Sequence, residues 1–193
     1  MKIIGLLLMA TLTSAWPLFS QIVVIPDKAF LNALIEKGVD TNGDNLISHA
    51  EAEIITYLRI EGNWEEGKQG EIESLKGIEA FVNLDTLRCN FNRITNLDLS
   101  DNRSLRYLNC NENQITSLDV SGCTALTELD FEGNLLTSLD LSNNTSLKRI
   151  GMRDNPNLQK VCVWTMSFPP EGMTISTEGS PNVYFTIDCN IGR

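Results

Sequence analysis

Oxygen-bearing side chains are concentrated in residues 40–51, which read DTNGDNLISHAE. Side-chain oxygens fall at the first, third, fifth, ninth and twelfth positions of this segment, and the seventh position can offer its backbone carbonyl. These residues are Asp40, Asn42, Asp44, Ser48, Glu51 and, at the seventh position, Leu46. Calcium prefers several hard oxygen ligands around one point, and this spacing wraps the chain about such a point. The segment therefore predicts a weak calcium site, with a dissociation constant on the order of 10⁻⁴ to 10⁻³ M.

The same segment resembles an EF-hand loop, with Ile47 as the apolar residue at position eight. Position six holds Asn45 where the EF-hand pattern has Gly, and Asn is the next best residue for a left-handed backbone. Ser48 and Glu51 also form the capping-box pattern of a helix N-terminus. That pattern gives a second interpretation, a turn between two helices that binds no metal. The helix before the loop is expected to begin and end at two residues, Asp27 and Gly38.

The sequence has few of the residue patterns that other metal, catalytic or nucleotide-binding sites require. His49 is the single histidine, so a zinc site built on several histidines has no ligands and a histidine-based triad has one unsuited candidate. The five cysteines show no C-x-x-C spacing, and phosphate-loop and dinucleotide fingerprints are absent. Carboxylates are abundant, which leaves an acidic-residue hydrolase as the least favoured alternative to a non-enzymatic protein. The net charge of −10 disfavours nucleic acid and anionic membranes as partners.

A repeat of 21 residues organises the middle of the chain. Aligned copies begin at Leu84, Leu105, Leu126 and Leu147, and a further copy begins 29 residues before the first of these, at Ile55. Each copy has apolar residues at its first, fourth and sixth positions and Asn at its ninth. Because side chains alternate along a strand, these apolar residues point into a stack of coils, where neighbouring coils bury them.

An asparagine ends each copy of the repeat. These residues are Asn63, Asn92, Asn113, Asn134 and Asn155. A turn buried between coils leaves peptide groups without water, and a carboxamide supplies two donors and an acceptor in its place. We therefore predict a structural role for the asparagine column.

A second apolar segment follows each of these strands. The segments are ITNLDLS from Ile94, ITSLDVS from Ile115, LTSLDLS from Leu136 and, in the first coil, IESLKGI from Ile72. So short a repeat leaves no room for a long helix on the convex side, so we expect strands on both faces. One column of the convex face is acidic, and we interpret it as solvated; its members are Asp98, Asp119 and Asp140.

These residues resemble the short, internalin-J-like leucine-rich repeats of bacterial surface proteins, in which cysteine can take an inward position of the strand. Cys89 and Cys110 match that position, and we expect both thiols to be reduced, inert parts of the core. The helix, the EF-hand-like loop and the strand leading into the first repeat look like the N-terminal cap of such proteins from Bacteroidetes-type bacteria. The resemblance implies a mainly β fold, a short solenoid of five coils with a helical N-terminal cap and a β-type C-terminal cap.

The expected organisation is a signal peptide at residues 1–20, the helical cap at 21–54, the solenoid at 55–163 and the C-terminal cap at 164–193. The first twenty residues resemble a secretory signal peptide because Lys2 precedes an apolar run too short to span a membrane. Cleavage is expected between Ala15 and Ser20. No other segment is long and apolar enough to span, so we predict a secreted, periplasmic or cell-surface bacterial protein whose mature chain is not inserted in the membrane.

The three remaining cysteines lie outside the inward positions of the concave strands. An exported chain meets oxidising chemistry, so Cys162 and Cys189, both beyond the last repeat signature, are expected to form a disulfide. Two free thiols are the alternative. Cys123 stands where the sister coils have Asn102 and Asn144, and we assign it no function.

The exposed side chains of the concave strands form the predicted binding surface. Aromatic residues and arginines are common interface anchors, and several lie on this face. The predicted contact residues are Tyr57, Arg59, Arg88, Phe91, Tyr107 and Asn109. We predict a monomeric module that binds a protein or a glycan here; a structural or cell-surface spacer with no ligand pocket is the alternative. Farther along, Glu128, Asp130 and Glu132 lie one strand, about 4.8 Å, from Arg149 and Arg153 and are expected to pair with them.

Overall fold

The structure is a computed structural model of the chain, and it describes residues 22–62, 70–165 and 167–189. The expected signal peptide and Asn63 lie outside the described residues. Helices α1 (Lys28–Glu36) and α2 (His49–Glu53) precede the repeats, and a 3₁₀ turn (Ile78–Ala80) lies in the first coil. The strands of the described residues are β1 (Tyr57–Arg59), β2 (Thr86–Arg88), β3 (Asn96–Asp98), β4 (Tyr107–Asn109), β5 (Ser117–Asp119), β6 (Glu128–Asp130), β7 (Ser138–Asp140), β8 (Arg149–Gly151), β9 (Lys160–Cys162), β10 (Thr174–Ser176) and β11 (Tyr184–Thr186).

The concave face is a parallel sheet of six short strands in the order β1-β2-β4-β6-β8-β10. Each strand pairs with the next without a shift, so equivalent residues of successive repeats lie side by side. The central residues form the inward column, which is Leu58, Leu87, Leu108, Leu129, Ile150 and Ile175. This register confirms the repeat prediction and fixes which side chains face solvent.

The convex side carries two smaller parallel sheets, β3-β5 and β7-β9-β11. β3, β5 and β7 fall within the segments that begin at Ile94, Ile115 and Leu136, as predicted. The inward residues Leu97 and Leu139 are 2% exposed, so both faces of the coil contribute to one core.

The predicted strand in the segment from Ile72 is wrong. Residues 71–77 form no strand, and the 3₁₀ turn follows them. The cause lies about 46 residues upstream, because Oδ2 of Asp27 accepts hydrogen bonds from the backbone N–H groups of Glu73 and Ser74, both at 2.8 Å. Donors that a strand would give to a neighbouring coil are thus taken by the cap.

Within the N-terminal cap, helix α1 is capped by Asp27, whose Oδ1 accepts hydrogen bonds from the backbone N–H groups of Ala29 (2.8 Å) and Phe30 (3.0 Å). Helix α1 ends at Glu36 with Lys37 as its C-cap, and Gly38 follows with a left-handed backbone (φ +76°), as the sequence predicts. Phe30 and Leu34 are fully buried and belong to the continuous hydrophobic core. The two oxygens of one carboxylate therefore join the helix N-terminus to the start of the solenoid.

The C-terminal segment continues both faces of the stack. β10 extends the concave sheet beside β8, and β11 extends the convex sheet beside β9. The predicted disulfide between Cys162 and Cys189 is present, with the two Cα atoms 5.3 Å apart. Phe168 packs between Trp164 and Phe185, with ring centroids 5.3 and 4.8 Å away. A layer of aromatic rings thus closes this end of the solenoid.

The asparagine column forms a ladder through the core, as predicted. Nδ2 of Asn134 donates to the carbonyls of Cys110 (3.0 Å), Phe131 (2.9 Å) and Glu132 (3.2 Å), and its Oδ1 accepts from the backbone of Ile115 (2.9 Å). Donation to the same coil and to the preceding one is repeated by Asn92, Asn113 and Asn155. Each carboxamide therefore joins two coils and satisfies the buried turn between them.

A second ladder, which the sequence analysis missed, runs along the opposite turn. Nδ2 of Asn144 donates to the carbonyls of Val120 (2.9 Å) and Cys123 (3.0 Å), and Asn102 makes two equivalent bonds. Cys123 takes the same place in the coil between them, with its Sγ 3.2 Å from the carbonyl oxygen of Leu99. Its role is therefore structural, as a weak donor in an asparagine position.

Replacing Asn134 by Ala tests the ladder. The change removes four hydrogen bonds and leaves the backbone N–H of Ile115 without a partner among the described residues, while each of the three carbonyls keeps one other donor. We therefore expect the free energy of unfolding to fall by about 3 kcal/mol. Denaturant unfolding measures this loss. The matched control is Asn96→Ala, an exposed asparagine on the convex face, where the change is expected to stay within about 0.5 kcal/mol. Equal losses of unfolding free energy in the two variants would contradict a stabilising role of the asparagine ladder.

Candidate functional site

The N-terminal half of the concave face groups four of the predicted contact residues, Tyr57, Arg59, Arg88 and Tyr107. Nε and Nη2 of Arg59 lie 2.9 and 2.7 Å from one oxygen of Glu61, and Nη1 of Arg88 lies 3.8 Å from the other. The guanidinium of Arg88 stacks over the ring of Tyr107, with Cζ 4.9 Å from the ring centroid. The side chain of Arg88 is 39% exposed, so the stack remains accessible.

The structure places the other two predicted contact residues nearer the turns. Phe91 is half-buried in the turn after β2 and has a left-handed backbone (φ 57°). Glu112, Gly133 and Asp154 hold the same position in later coils with φ of 52°, 64° and 52°. With one glycine in the column, sequence reasoning had little signal for this turn conformation. Oδ1 of Asn109 accepts from the backbone two residues later (3.1 Å), so this side chain supports its own turn.

The C-terminal half of the concave face holds the acids that were expected to pair with arginines. Arg149 lies 3.8 Å from Glu128 and 3.7 Å from Asp130. Arg153 lies 3.0 Å from Glu132, and Glu178 is 4.0 Å from the same guanidinium. The predicted pairing is confirmed, but each arginine is shared between two carboxylates. We call the residues of these four pairs the acidic half.

Asp130 has a side chain that is 8% exposed. Within the described part of the chain its Oδ1 has no hydrogen-bond partner. Burial raises the pKa of this carboxyl, while Arg149 acts in the opposite direction and Glu132 adds to the increase. A buried carboxylate without full compensation costs folding free energy. The amide oxygens of Asn90, Asn102, Asn144 and Asn155 also lack a partner among the described residues, but Asp130 differs from them because its side chain can carry a charge.

The calcium-loop candidate is folded around its own backbone. Asp40 accepts from the N–H groups of Gly43 (2.7 Å) and Asn45 (2.9 Å), one on each carboxylate oxygen. Asn42 and Asp44 each accept from the backbone two residues later, at 2.8 and 2.9 Å. Asn45 has the left-handed backbone that position six requires (φ 62°). The first three ligand positions therefore have the local geometry that the predicted loop needs.

Glu51, at position twelve, is engaged elsewhere. Its Oε1 accepts from the backbone and hydroxyl of Thr41, both at 2.8 Å, and its Oε2 from the backbone (2.9 Å) and hydroxyl (2.8 Å) of Ser48. The backbone bond from Ser48 contributes most to lowering the pKa of this carboxyl to about 2. Oγ of Ser48 accepts in turn from the Glu51 backbone (3.2 Å), which completes a capping box.

In the described part of the chain, the Asp, Glu and His side chains of this loop do not bring three ligand atoms within 4.8 Å of one another. Among the described residues, three such atoms come within 4.8 Å of one another in the group Asp140, Cys162 and Cys189, where the two sulfurs are bonded to each other. Asp40, Asn42 and Asp44 fit an oxygen-ligated cation, whereas Glu51 fits only after it exchanges its capping contacts. Calcium binding therefore stays a prediction.

The three free thiols are buried. Burial raises the pKa of Cys89 and of Cys123 to about 12 and raises that of Cys110 well above its ordinary value. Since the thiolate is the reactive form, Cys89 and Cys110 are the inert core thiols that the sequence predicts, and Cys123 is a third buried thiol of the same kind.

The stacked coils, the parallel concave sheet and the asparagine ladder define a leucine-rich-repeat solenoid fold. Residues 103–143 match the family model described as leucine-rich repeats (2 copies). No curated protein sequence matches the chain. Among the described residues, no helix has the length and apolar character needed to cross a membrane.

Within this class, the fold is that of internalin repeat domains. The functional domain of InlJ from Listeria monocytogenes, described as including a cysteine ladder, is similar over 83% of this chain and 45% of its own, with a TM-score of 0.54 and 22% identity. Internalin InlF from Listeria monocytogenes strain 4b F2365 is similar over 83% of this chain and 49% of its own, with a TM-score of 0.53 and 22% identity. The chain thus spans less than half the length of these structures, and likeness at this identity concerns the fold.

Replacing Asp130 by Asn tests the cost of its burial. Because the folded-state pKa is raised, the wild type loses stability as pH rises from the ordinary Asp value, about 4, through the raised value. We expect Asp130→Asn to melt at a higher temperature near pH 7, and the difference to disappear below about pH 4. Asp119→Asn, an exposed acid on the convex face, is the matched control. A lower melting temperature for Asp130→Asn at pH 7 would mean that the Arg149 pair outweighs burial.

Proposed function

We propose that the chain is an exported protein-binding module that contacts its partner through the N-terminal half of the concave face. The observation that carries this proposal is the stack of Arg88 on Tyr107, with 4.9 Å between Cζ and the ring centroid. The stack orders two long side chains before a partner arrives, which lowers the entropy that is lost on binding. Arginine and tyrosine are also the side chains that most often dominate interface energies.

Charge in this half favours a partner with a carboxylate. Among the described residues, Arg59 and Arg88 both pair with the acid Glu61, so one positive charge is in excess there. Tyr57 is 56% exposed on the same strand as Arg59 and adds apolar area. A protein surface that offers an acidic group beside an apolar one complements this arrangement.

A protein partner fits this half better than a glycan. A sugar ring packs on a free aromatic face, and the face of Tyr107 is covered by the guanidinium of Arg88. The other alternative, a spacer without a ligand, does not account for the excess charge or for the ordered stack of Arg88 on Tyr107. The proposal of a binding module therefore accounts for more of this surface.

Export is supported by two features of the chain. Residues 1–20 have the pattern of a signal peptide. The disulfide between Cys162 and Cys189 suits an oxidising compartment, where such bonds persist. Both features are consistent with a protein that meets its partner outside the cytoplasm.

We also propose that calcium stabilises the N-terminal cap. Asp40, Asn42 and Asp44 already present oxygens at the first three ligand positions, and the left-handed Asn45 gives the loop its turn. Bound calcium would supply a compact positive charge among carboxylates. The residues that would hold it are Asp40, Asn42, Asp44, Leu46, Ser48 and Glu51.

The contact surface is tested with the double variant Arg88→Ala, Tyr107→Ala. Residues 21–193 serve as bait to isolate a partner from surface and culture fractions of a host bacterium, and the dissociation constant is then measured with the purified partner. We expect the double variant to bind at least about 30-fold more weakly, since two anchors of hot-spot type are lost.

The matched control is Asn96→Ala, Ser117→Ala, which shortens two exposed side chains at equivalent places of the convex face. We expect it to bind like the wild type. Equal affinity of the Arg88, Tyr107 variant and the wild type would remove the proposed surface. Failure to isolate any partner would favour the spacer alternative.

Calcium is tested by thermal unfolding in EDTA and at about 5 mM calcium. With the affinity expected from the sequence, calcium stabilises the wild type by about 1 to 2 kcal/mol, seen as a higher melting temperature. Asp40→Ala is expected to lose this increase, whereas Asp101→Ala, an exposed acid in the first repeats, keeps it. An unchanged melting temperature in the wild type would leave the capping box as the sole role of the loop.

A further inference from the structure

The acidic half of the concave face carries more negative charge than the chain neutralises. Its four carboxylates, Glu128, Asp130, Glu132 and Glu178, face two arginines, Arg149 and Arg153. The contacts of Arg149, at 3.7 and 3.8 Å, are longer than hydrogen bonds. Two negative charges are therefore left over in this half, and neither carboxylate beside Arg149 is hydrogen-bonded to it.

A missing side chain shapes the centre of this half. Gly151 occupies the column in which the other coils carry a side chain, the column of Arg59, Arg88, Asn109, Asp130 and Ser176. A Cβ at Gly151 would contact Oδ1 of Asp130 and lie 2.9 Å from Oε1 of Glu132. Oδ1 of Asp130 and Oε1 of Glu132 thus both lie close to the Gly151 backbone, where no side chain separates them from it.

Only one of these two oxygens is satisfied. Oε1 of Glu132 accepts from Nε of Arg153 (3.0 Å) and from the hydroxyl of Ser176 (3.2 Å). Oδ1 of Asp130 has no donor within the described part of the chain, although its side chain is more than nine-tenths buried. A buried acceptor of this kind gains most from a donor brought by a ligand, because its water has already been lost.

We infer that the acidic half receives a basic side chain, a lysine or an arginine, of the protein partner, with Asp130 as its anchor. This inference rests on the proposed function and names the chemistry of the partner. The incoming cation donates to Oδ1 of Asp130, and Arg149, whose side chain is 53% exposed, moves toward Glu128. The pair is then charge-assisted and shielded from water, the setting in which such bonds are strongest.

A protein cation suits this place better than a metal ion. Among the described residues, the carboxylates of this half do not bring three ligand atoms within 4.8 Å of one another. A metal ion also needs several oxygens at once, whereas a lysine or arginine needs one free acceptor and a neighbouring negative field.

The two halves of the concave face carry excess charge of opposite sign, so the face is electrostatically polarised along the stack. The excess is positive around Arg59 and Arg88 and negative around Asp130 and Glu132. β1, which carries Arg59, and β6, which carries Asp130, are three strands apart, about 14 Å. A complementary segment of the partner therefore carries acidic and basic residues separated by about four extended residues, which span about 13 Å.

The test uses two fluorescent eight-residue peptides of one composition. The segregated probe is Lys-Lys-Gly-Ser-Gly-Ser-Glu-Glu, and the mixed probe is Lys-Glu-Gly-Ser-Gly-Ser-Lys-Glu. Both are neutral in their side chains, so attraction to the acidic chain as a whole is the same for each. Anisotropy is measured at about 10 mM salt, where the Debye length is about 30 Å. We expect the wild type to bind the segregated probe at least about tenfold more tightly than the mixed one.

Asp130→Asn is the variant that tests the anchor. We expect it to weaken binding of the segregated probe about tenfold or more while the variant melts no lower than the wild type, so damage to the fold does not explain the loss. Asp119→Asn removes the same charge from the convex face and keeps the acceptor for Ser121; it is expected to bind like the wild type.

The outcomes separate the two proposals. Equal binding of the two probes, or undiminished binding by Asp130→Asn, overturns the inference. Loss of the probe in Arg88→Ala, Tyr107→Ala together with undiminished binding by Asp130→Asn keeps the contact surface and removes the anchor. Loss in both variants, with retention in Asp119→Asn, supports the inference.

Discussion

The structure depends on one requirement, that the backbone of a turn buried between two coils must find partners other than water. A carboxamide every 21 residues meets it, because Asn134 and its equivalents donate to carbonyls of their own coil and of the coil before. A slip by one residue would remove these bonds and turn the inward leucines to solvent. The ladder therefore sets the register of the sheet, and the register decides which side chains stand next to each other on the concave face.

This dependence explains what the sequence could predict. The period, the asparagine column and the apolar positions recur along the stack, so the concave strands and their inward residues could be derived from them. The closing disulfide was predicted separately, from two cysteines that lie beyond the last repeat signature of a chain expected to be exported. The segment from Ile72 could not be derived from the repeat, since its backbone donors go to Asp27, a residue of the cap. The second ladder, formed by Asn102, Cys123 and Asn144, was not predicted because a cysteine replaces asparagine at its middle position. Left-handed turns at Phe91 and Asp154 lacked the glycine that signals them.

The sequence predicted which residues form the columns of the candidate site, but not which of their carboxylates lack a hydrogen-bond donor. Asp98, Asp119 and Asp140 stack on the convex face as the concave acids do, yet each accepts from the backbone of the serine two residues later, at 2.9 to 3.0 Å. These acids are satisfied by their own turns. On the concave face Asp130 has no such donor for Oδ1 and competes with Glu128 for one arginine. Which acid is left unsatisfied follows from the glycine at 151, a detail of one coil that a repeat pattern does not carry.

The cap and the concave face are physically connected. Helix α2 ends at Glu53, four residues before Tyr57, so the capping box formed by Ser48 and Glu51 leads directly into β1. Among the described strands, β1 has β2 as its one sheet neighbour. Its position therefore depends on the cap more than that of any inner strand does. Whatever stabilises the loop at residues 40–51 thus also holds Tyr57 and Arg59 in place, and the stability of the cap becomes part of the free energy of binding at this end of the face.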